Sequence, residues 1–461
     1  MNFLKEIYAN VPDDIKKIYS IVPFSLRAGR GYSFTLSSIA RNQFVSKSEL
    51  ELIQFNKLKE LLIASSNNVE YYSELFEAAR FNPFKFSELK EIEALPLLDR
   101  MTVFNNYERM KNRSTSYLNS YEGYTGGTTG NPLKILFDIK SHFIEWAYIH
   151  AMWKRVGFSA RNRRVSLLGV PFRKDAATLW KHNYPHNELQ LSPRHMTDET
   201  MNKYIELITD FKADYIYGLP SAITVLAQHI QKLQLNMLGI KGILCGSENM
   251  TQRQRELISD TFAARVYTWY GQTEKVVLGG ECEFSEDYHL FPEYGYTELI
   301  DERGEVIYEA GRAGEIVGTG FINQAMPLIR YRTGDFAEYV DGACRCRRNY
   351  PRLKRVVGRR DPGKLHGKDG TSYLFSSIET QKGVFDKIFK CQFIQEKPGF
   401  VVLNLMSSKT LSESDLSGMA LDLASQVDQS IQFEIRVVND LIRTENGKTP
   451  SLIQKLDERR I

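Results

Sequence analysis

The run Thr125-Gly-Gly-Thr-Thr-Gly130 puts three hydroxyls and three glycines together with no bulky side chain. Glycines let a backbone turn its N–H groups inward, and threonine hydroxyls add donors at the same level. Such a loop can fold over the phosphates of a nucleotide; an ordinary glycine-rich turn between two strands has the same composition. It is not a Walker A loop, because Asn131 stands where that motif needs lysine. Four polar stretches follow in order: Tyr270-Gly-Gln-Thr-Glu274, Tyr331-Arg-Thr-Gly-Asp335, Gly358-Arg-Arg-Asp361 and Glu445-Asn-Gly-Lys448. Gly447-Lys-Thr449 mimics the end of a Walker A loop, but Ile442 occupies the place of its first glycine.

A second set is Cys282, His289, Cys344 and Cys346. Three thiols and one imidazole are a usual ligand composition for closed tetrahedral zinc. Cys-x-Cys is tighter than the common finger spacing, so free cysteines near a turn and a surface histidine share the pattern. Asp341-Gly342 and Arg347-Arg348 flank the pair with polar residues, a poor setting for an apolar buried cysteine.

Alternating elements must position these groups. Strands are expected at 165–169, 214–218, 240–245 and 265–269, with helices at 200–211, 220–233 and 251–262. That alternation predicts a mostly parallel, helix-covered sheet with ligands at the carboxyl ends of its strands. Gly246-Ser247-Glu248 and Tyr270 to Glu274 fall at such ends. Residues 45–80 and 143–156 read as helices, and Leu95-Pro-Leu-Leu-Asp-Arg-Met-Thr102 as a loop entering another. From about Tyr296 the pattern becomes short β segments. Val356 to Gly363 is rich in breakers and reads as a linker to a small α+β domain. The expected division is therefore 1–357, with N-terminal helices in 1–110 and a β-rich subdomain at about 290–357, and 358–461. Residues 1–35 mix apolar residues with Lys and Arg; they either pack on their own domain or lie on a membrane surface as an amphipathic helix.

The 461 residues suffice for two or three domains. Sixty basic residues against 56 acidic ones, net +4, argue against a dedicated nucleic-acid binder. No apolar run approaches the roughly 18 residues of a membrane span, and the N-terminus lacks a signal-peptide core, so a cytoplasmic protein is expected. Five cysteines in a long chain point to thiols or metal ligands rather than a disulfide framework.

The five ordered stretches together resemble the adenylate-forming superfamily of acyl-CoA synthetases. The loop form Thr-Gly-Gly-Thr-Thr-Gly-Asn-Pro-Leu-Lys is most similar to the phenylacetate–CoA ligase branch, including relatives encoded with capsular and surface-polysaccharide enzymes. The resemblance spans essentially the whole chain. It implies an ATP-dependent ligase that forms an acyl-adenylate, releases pyrophosphate, and passes the acyl group to coenzyme A, a carrier-protein thiol or an amino-sugar amine. The setting implied is surface-polysaccharide or aryl- and acyl-acid metabolism.

Residue by residue, the resemblance implies that Thr125, Gly126, Gly127, Thr128, Thr129 and Gly130 hold phosphates, with Thr128 among the catalytic groups. Ser247 and Glu248 line the adenine pocket, Tyr270 stacks on adenine, and Gly271, Gln272 and Thr273 complete that contact. Glu274 takes Mg²⁺, Asp335 the ribose hydroxyls, and Arg359 the nucleotide. Asp361 is the hinge of a mobile C-terminal domain, and Lys448 bridges the attacking carboxylate and the α-phosphate. Several relatives carry a matching Cys…His…Cys-x-Cys set that binds structural zinc. Two departures stand out. Asn131-Pro132-Leu133 stands where many superfamily members carry Lys-Pro-Lys, leaving Lys134 as the nearest cation. Leu168 to Phe172 lacks the usual histidine, with His182 and His186 coming later. A catalytically inactive nucleotide-binding member of the same fold is the competing reading.

Overall fold

The strands on either side of the glycine-rich loop pair with each other. Ser120–Tyr124 and Lys134–Asp138 pair antiparallel, and Asp138 then caps the helix Ile139–Lys154 by accepting from the Ser141 amide at 2.7 Å. The structure is a computed structural model. It describes residues 11–125, 133–168, 179–193, 196–237, 239–248, 250–354, 356, 364–375, 378, 388–407, 410–427, 429–439, 441–442 and 452–456.

Among the described residues, twelve strands form one sheet. Its parallel part runs Val266–Gly271, Gly242–Cys245, Tyr215–Gly218, Arg164–Leu167, Glu188–Leu191, with Trp180–Asn183 antiparallel at the edge. Its antiparallel part continues from Val266–Gly271 through Leu278–Gly280, Tyr288–Leu290, Arg352–Leu353, Tyr331–Val340, Ala313–Gly320 and Gly295–Ile300. The α/β class and the strand–helix alternation agree with the sequence reading. One difference is that the antiparallel strands extend the parallel sheet rather than forming a separate one. The joining pieces, Leu278–Gly280 and Tyr288–Leu290, are three residues each and too short for an alternating pattern to show. Trp180–Asn183 gave no strand signal, since polar residues occupy both of its faces, and Glu188–Leu191 alternates over only four residues, too few to stand out.

Helix starts carry their own chemistry. Ser46 and Thr251 form capping boxes with Glu49 and Gln254, and Thr197 caps Asp198–Asp210. Helices Asp198–Asp210, Pro220–Lys232 and Gln252–Phe262 cover one sheet face with Tyr204, Ile223, Leu226 and Ile258. Helix Ile139–Lys154 covers the other with Trp153 and Tyr148. Of the N-terminal helices, Gly29–Asn42 packs on Ile139–Lys154 through Tyr32, as one sequence reading expected. Asp13–Ile21 buries no residue.

The C-terminal residues form a four-stranded sheet, ordered Gln432–Val437, Phe400–Ser407, Ile388–Lys397 and Leu452–Gln454, with helix Glu413–Gln426. Leu403, Leu405, Leu423 and Ile431 give it a core of its own. The domain boundary at 357/358 and the hinge Asp361 lie outside the described residues.

The Leu95 to Arg100 segment is fastened to the sheet by Arg330. Leu98 donates to the Arg330 carbonyl and accepts from the Arg332 amide, both at 2.9 Å. The Arg330 guanidinium is buried. It pairs with the buried Glu298 at 2.8 Å and donates to the carbonyls of Glu93 and Leu95. A buried carboxylate stripped of its partner is an uncompensated charge. Arg330→Met is therefore expected to cost about 3–5 kcal/mol of unfolding free energy, measured by denaturant titration. A loss under about 1 kcal/mol, the value of an exposed pair, would refute this account.

Candidate active site

The described parts of the motifs meet at the carboxyl end of Val266–Gly271. Tyr270 and Gly271 belong to the strand itself, and Gln272, Thr273 and Glu274 turn away from it. In the antiparallel part of the sheet, the register between Ala313–Gly320 and Tyr331–Val340 shifts between Glu315 and Val317. The shift accommodates Thr333-Gly334-Asp335, with Gly334 at φ +75°. Asp335 is thereby turned toward Tyr270, whose hydroxyl donates to Asp335 Oδ2 at 2.9 Å. Gln272 Nε2 donates to the same hydroxyl at 2.6 Å. Burial and the Asp335 carboxylate push the Tyr270 hydroxyl well above its usual range, so it stays protonated and able to donate. The ring of Tyr270 is also a core residue of the large domain.

Glu274 is buried, and a buried carboxylate needs partners. Tyr331 donates to its Oε1 at 3.1 Å, and Arg100 Nη1 stands 3.5 Å from that atom. Arg100 also donates to Thr125 Oγ1 at 2.5 Å, and Thr125 Oγ1 accepts from the Leu133 amide at 3.0 Å. One guanidinium thus spans the first residue of the glycine-rich loop and the acid of the second motif. Arg100 is presented by helix Arg100–Asn105, whose N-cap Asp99 accepts from Thr102 at 2.7 Å. Sequence reasoning did not select Arg100 or Tyr331. Both lay inside stretches it had quoted, but their partners are distant in sequence.

Ser247 and Glu248 follow the adjacent strand Gly242–Cys245. Ser247 is exposed at φ +70°, and Glu248 Oε2 accepts from the Ser221 amide at 3.1 Å in the first turn of Pro220–Lys232. A Cβ on Gly246 would lie 2.5 Å from Trp269 Cζ2, so only glycine lets this turn close on the strand carrying Tyr270. Lys275, just past Glu274, is buried and ion-paired with Glu145 of the capping helix, which also accepts from Tyr294 at 3.1 Å. Lys134 is taken up by Glu122 at 2.8 Å. Of the other expected residues, Thr125 is placed as described. Gly126, Gly127, Thr128, Thr129, Gly130, Arg359, Asp361 and Lys448 lie outside the described residues.

Beyond Trp269, an aromatic wall of Trp146, Trp153 and Tyr217 surrounds Arg164, whose guanidinium lies 5.3–5.7 Å from the three rings and 3.2 Å from the buried Glu188. Next to it His150 accepts or donates at 2.8 Å with Tyr32, and burial with Arg164 nearby pushes its imidazole down to about 3.

The structure also gathers the Cys and His set. The ligand atoms of Cys282, His289, Cys344 and Cys346 all lie within 4.8 Å of one another. Cys282 Sγ and Cys344 Sγ are 3.7 Å apart, and Cys346 Sγ is 3.2 Å from His289 Nε2. Metal–sulfur bonds of about 2.3 Å in a tetrahedron put sulfurs about 3.8 Å apart, so the set fits one four-coordinate ion. His289 Nδ1 faces the Asp287 carbonyl at 3.3 Å, which leaves Nε2 as the ligating nitrogen. Burial, with Arg155 close by, pushes this imidazole down to about 3, so it is neutral. The Phe284 amide donates to Cys282 Sγ at 3.3 Å.

The AMP-binding enzyme family matches residues 82–322, and the C-terminal domain of CapK matches 370–455. The chain belongs to the AMP-binding enzyme family and is an adenylate-forming ligase. Its branch is the phenylacetate–CoA ligase-like one, near capsule-associated relatives. It is 22% identical to protein CapK of Staphylococcus aureus, over 87% of this chain and 88% of that one. Phenylacetate–coenzyme A ligase of Aromatoleum evansii is 25% identical over 68% of this chain and 72% of that one. Among solved structures, 2-hydroxyisobutyryl-CoA ligase in complex with 2-HIB-AMP and CoA shares the fold, with TM-score 0.61 and 17% identity. The match covers 91% of this chain and 92% of that one.

Arg100 is held between Glu274 and Thr125. Loss of a partner that orients a site carboxylate typically costs about 10–100-fold in activity. Arg100→Gln is expected to lower ATP–pyrophosphate exchange by that factor, with partial recovery in Arg100→Lys. Wild-type exchange in Arg100→Gln would remove Arg100 from the site.

Proposed function

We propose that the chain activates a small carboxylic acid with ATP and Mg²⁺ and transfers the acyl group to a thiol, coenzyme A being the acceptor favoured by its relatives' names. In the first step a carboxylate oxygen attacks the α-phosphorus and the bond to pyrophosphate breaks. In the second the thiolate sulfur attacks the acyl carbon and AMP leaves. The observation that carries the reading is the convergence of Thr125, Glu274, Tyr270 and Asp335 through Arg100, Tyr331 and Gln272 at one strand end.

Each group has a role its chemistry suits. Among the described residues both contacts of Glu274 fall on Oε1, and its other oxygen is offered to Mg²⁺. Asp335, held by the Tyr270 hydroxyl and by its own amide donating to Thr333 at 3.1 Å, accepts from ribose hydroxyls. Thr125 to Gly130 supply amides and hydroxyls to the phosphates, and Ser247 and Glu248 border the adenine. Lys448 stabilises charge building between carboxylate and α-phosphate, and Arg359 contacts the nucleotide. Asp361 is the hinge for alternation of the C-terminal domain, a reading supported by the separate core of that domain. The capsule-associated relative supports a place in surface-polysaccharide synthesis.

ATP–pyrophosphate exchange with a panel of acids tests the reading; no exchange with any acid would favour the inactive alternative. Lys448→Ala is expected to lower adenylation by about 10²–10³-fold, the loss seen when one transition-state donor is removed. Its unfolding midpoint should stay within the small range of exposed substitutions. Thioester formation from a presynthesised acyl-adenylate should be reduced less. Wild-type adenylation by Lys448→Ala would reject the assignment.

We assign zinc to the Cys282, His289, Cys344 and Cys346 set. Its role is structural, because four protein ligands fill the tetrahedron. Metal analysis of untagged protein is expected to find one zinc per chain. Chelation should lower the unfolding midpoint, by about 2–4 °C per kcal/mol lost in a domain of this kind, and affect turnover only indirectly. Zinc-free protein with all three thiols alkylating freely would overturn the assignment.

A further inference from the structure

A surface helix normally turns its apolar stripe toward the core. In Asp13–Ile21 the stripe is Ile15, Ile18 and Tyr19, continued by Val22 at i+7, and it faces solvent. Ile18 is 67% exposed and the adjacent Ile21 79%. Of its charged residues only Lys16 is largely covered, its side chain 13% exposed; Lys17 stays 54% exposed with Nζ 5.3 Å over the Tyr184 ring. Leu26, 71% exposed, extends the apolar surface.

The next helix continues it. In Gly29–Asn42, Tyr32 and Ile39 are buried. At about 100° per residue, Arg30, Phe34 and Arg41 fall on the opposite side. Phe34 is 71% exposed. Beside Arg30 opens a cavity of about 380 Å³ floored by Ala28, Phe143 and Ile144, with Lys140 across from Arg30. Arg30 and Lys140 are both exposed, and neither forms an ion pair among the described residues.

We propose that this face is a peripheral membrane-binding surface for anionic lipid. Apolar side chains enter the boundary between headgroups and acyl chains, and the cations meet lipid phosphates. The charge decides for anionic lipid over an uncharged partner. Residues 11–42 carry five basic side chains against two acidic ones. The two acidic ones, Asp13 and Asp14, are each paired with a lysine at 3.2 Å. No described helix is long and apolar enough to cross a membrane, so the contact is on the surface. The inference is independent of the ligase assignment.

The test is flotation of the full-length protein with vesicles of phosphatidylcholine alone and of phosphatidylcholine with phosphatidylglycerol. Binding is expected only to the anionic vesicles and should fall with salt. Arg30→Glu combined with Lys140→Glu should weaken it by at least about tenfold by removing attraction to the lipid phosphates, and separately Ile18→Glu combined with Leu26→Glu by at least about tenfold by removing apolar area that enters the acyl boundary. Unchanged thermal unfolding midpoints would show that the variants remain folded; if they do not, the single variant Phe34→Ser replaces them. No binding to anionic vesicles, or equal binding by the variants, overturns the proposal. So does a dimer that Ile18→Glu makes monomeric, which would make this face a self-interface. Vesicle binding gained only after deletion of residues 1–10 overturns it as well, because that segment would then cover the face.

Discussion

The candidate site depends on how one guanidinium is held. Arg100 reaches Thr125 and Glu274 because the segment before it is stitched to the sheet by Leu98 and by the buried pair of Arg330 with Glu298. Arg330 precedes Tyr331, which donates to Glu274. Two arginines therefore connect the N-terminal helical region, the glycine-rich loop and both acidic motifs. Buried charges are tolerated only when paired and hydrogen-bonded, and here the pairing fixes where Glu274 can be.

The continuous sheet extends that fixation. Val266–Gly271 is parallel to its neighbour on one side and antiparallel on the other, so Tyr270 sits where the two halves meet. The strand carrying Asp335 arrives from the antiparallel half, and the Tyr270 hydroxyl joins the two. The Cys and His set lies in the same half. Cys282 follows Leu278–Gly280, His289 is on Tyr288–Leu290, and Cys344 and Cys346 follow the strand that carries Asp335. An ion there would clamp together the loops between strands that hold two motifs in register. Arg155, buried, donates to the carbonyls of Gly280 and Glu281 at 3.0 and 3.1 Å and brings positive charge beside the thiols.

The chain separates its surfaces by chemistry. Charged partners of the site are drawn inward, whereas in Asp13–Ile21 the apolar residues are turned out and Lys16 is turned in. Hydrophobic periodicity reports that a stripe exists, but not which way it faces, since that depends on what lies beneath it. Tyr184 and the residues around it, far along the chain, decide this.

The sequence by itself determined the class of chemistry and the alternation of elements. The glycine and threonine loop, Tyr270 to Glu274 and Tyr331 to Asp335, taken in order, carry the resemblance to adenylate-forming enzymes, and the periodicity of apolar segments placed the strands and helices. The ligand composition of the Cys and His set was legible too, because residue types are written in the chain. Only tertiary structure decided what these residues touch. Arg100 beside Glu274, Tyr270 against Asp335 and Cys282 beside Cys344 are contacts between residues far apart in sequence. No local propensity encodes them, because they arise from the sheet's strand order and from one bulge at Gly334. The short strands that join the sheet were hidden for the same reason. Three residues carry no readable period, and their place is fixed by the neighbours they pair with.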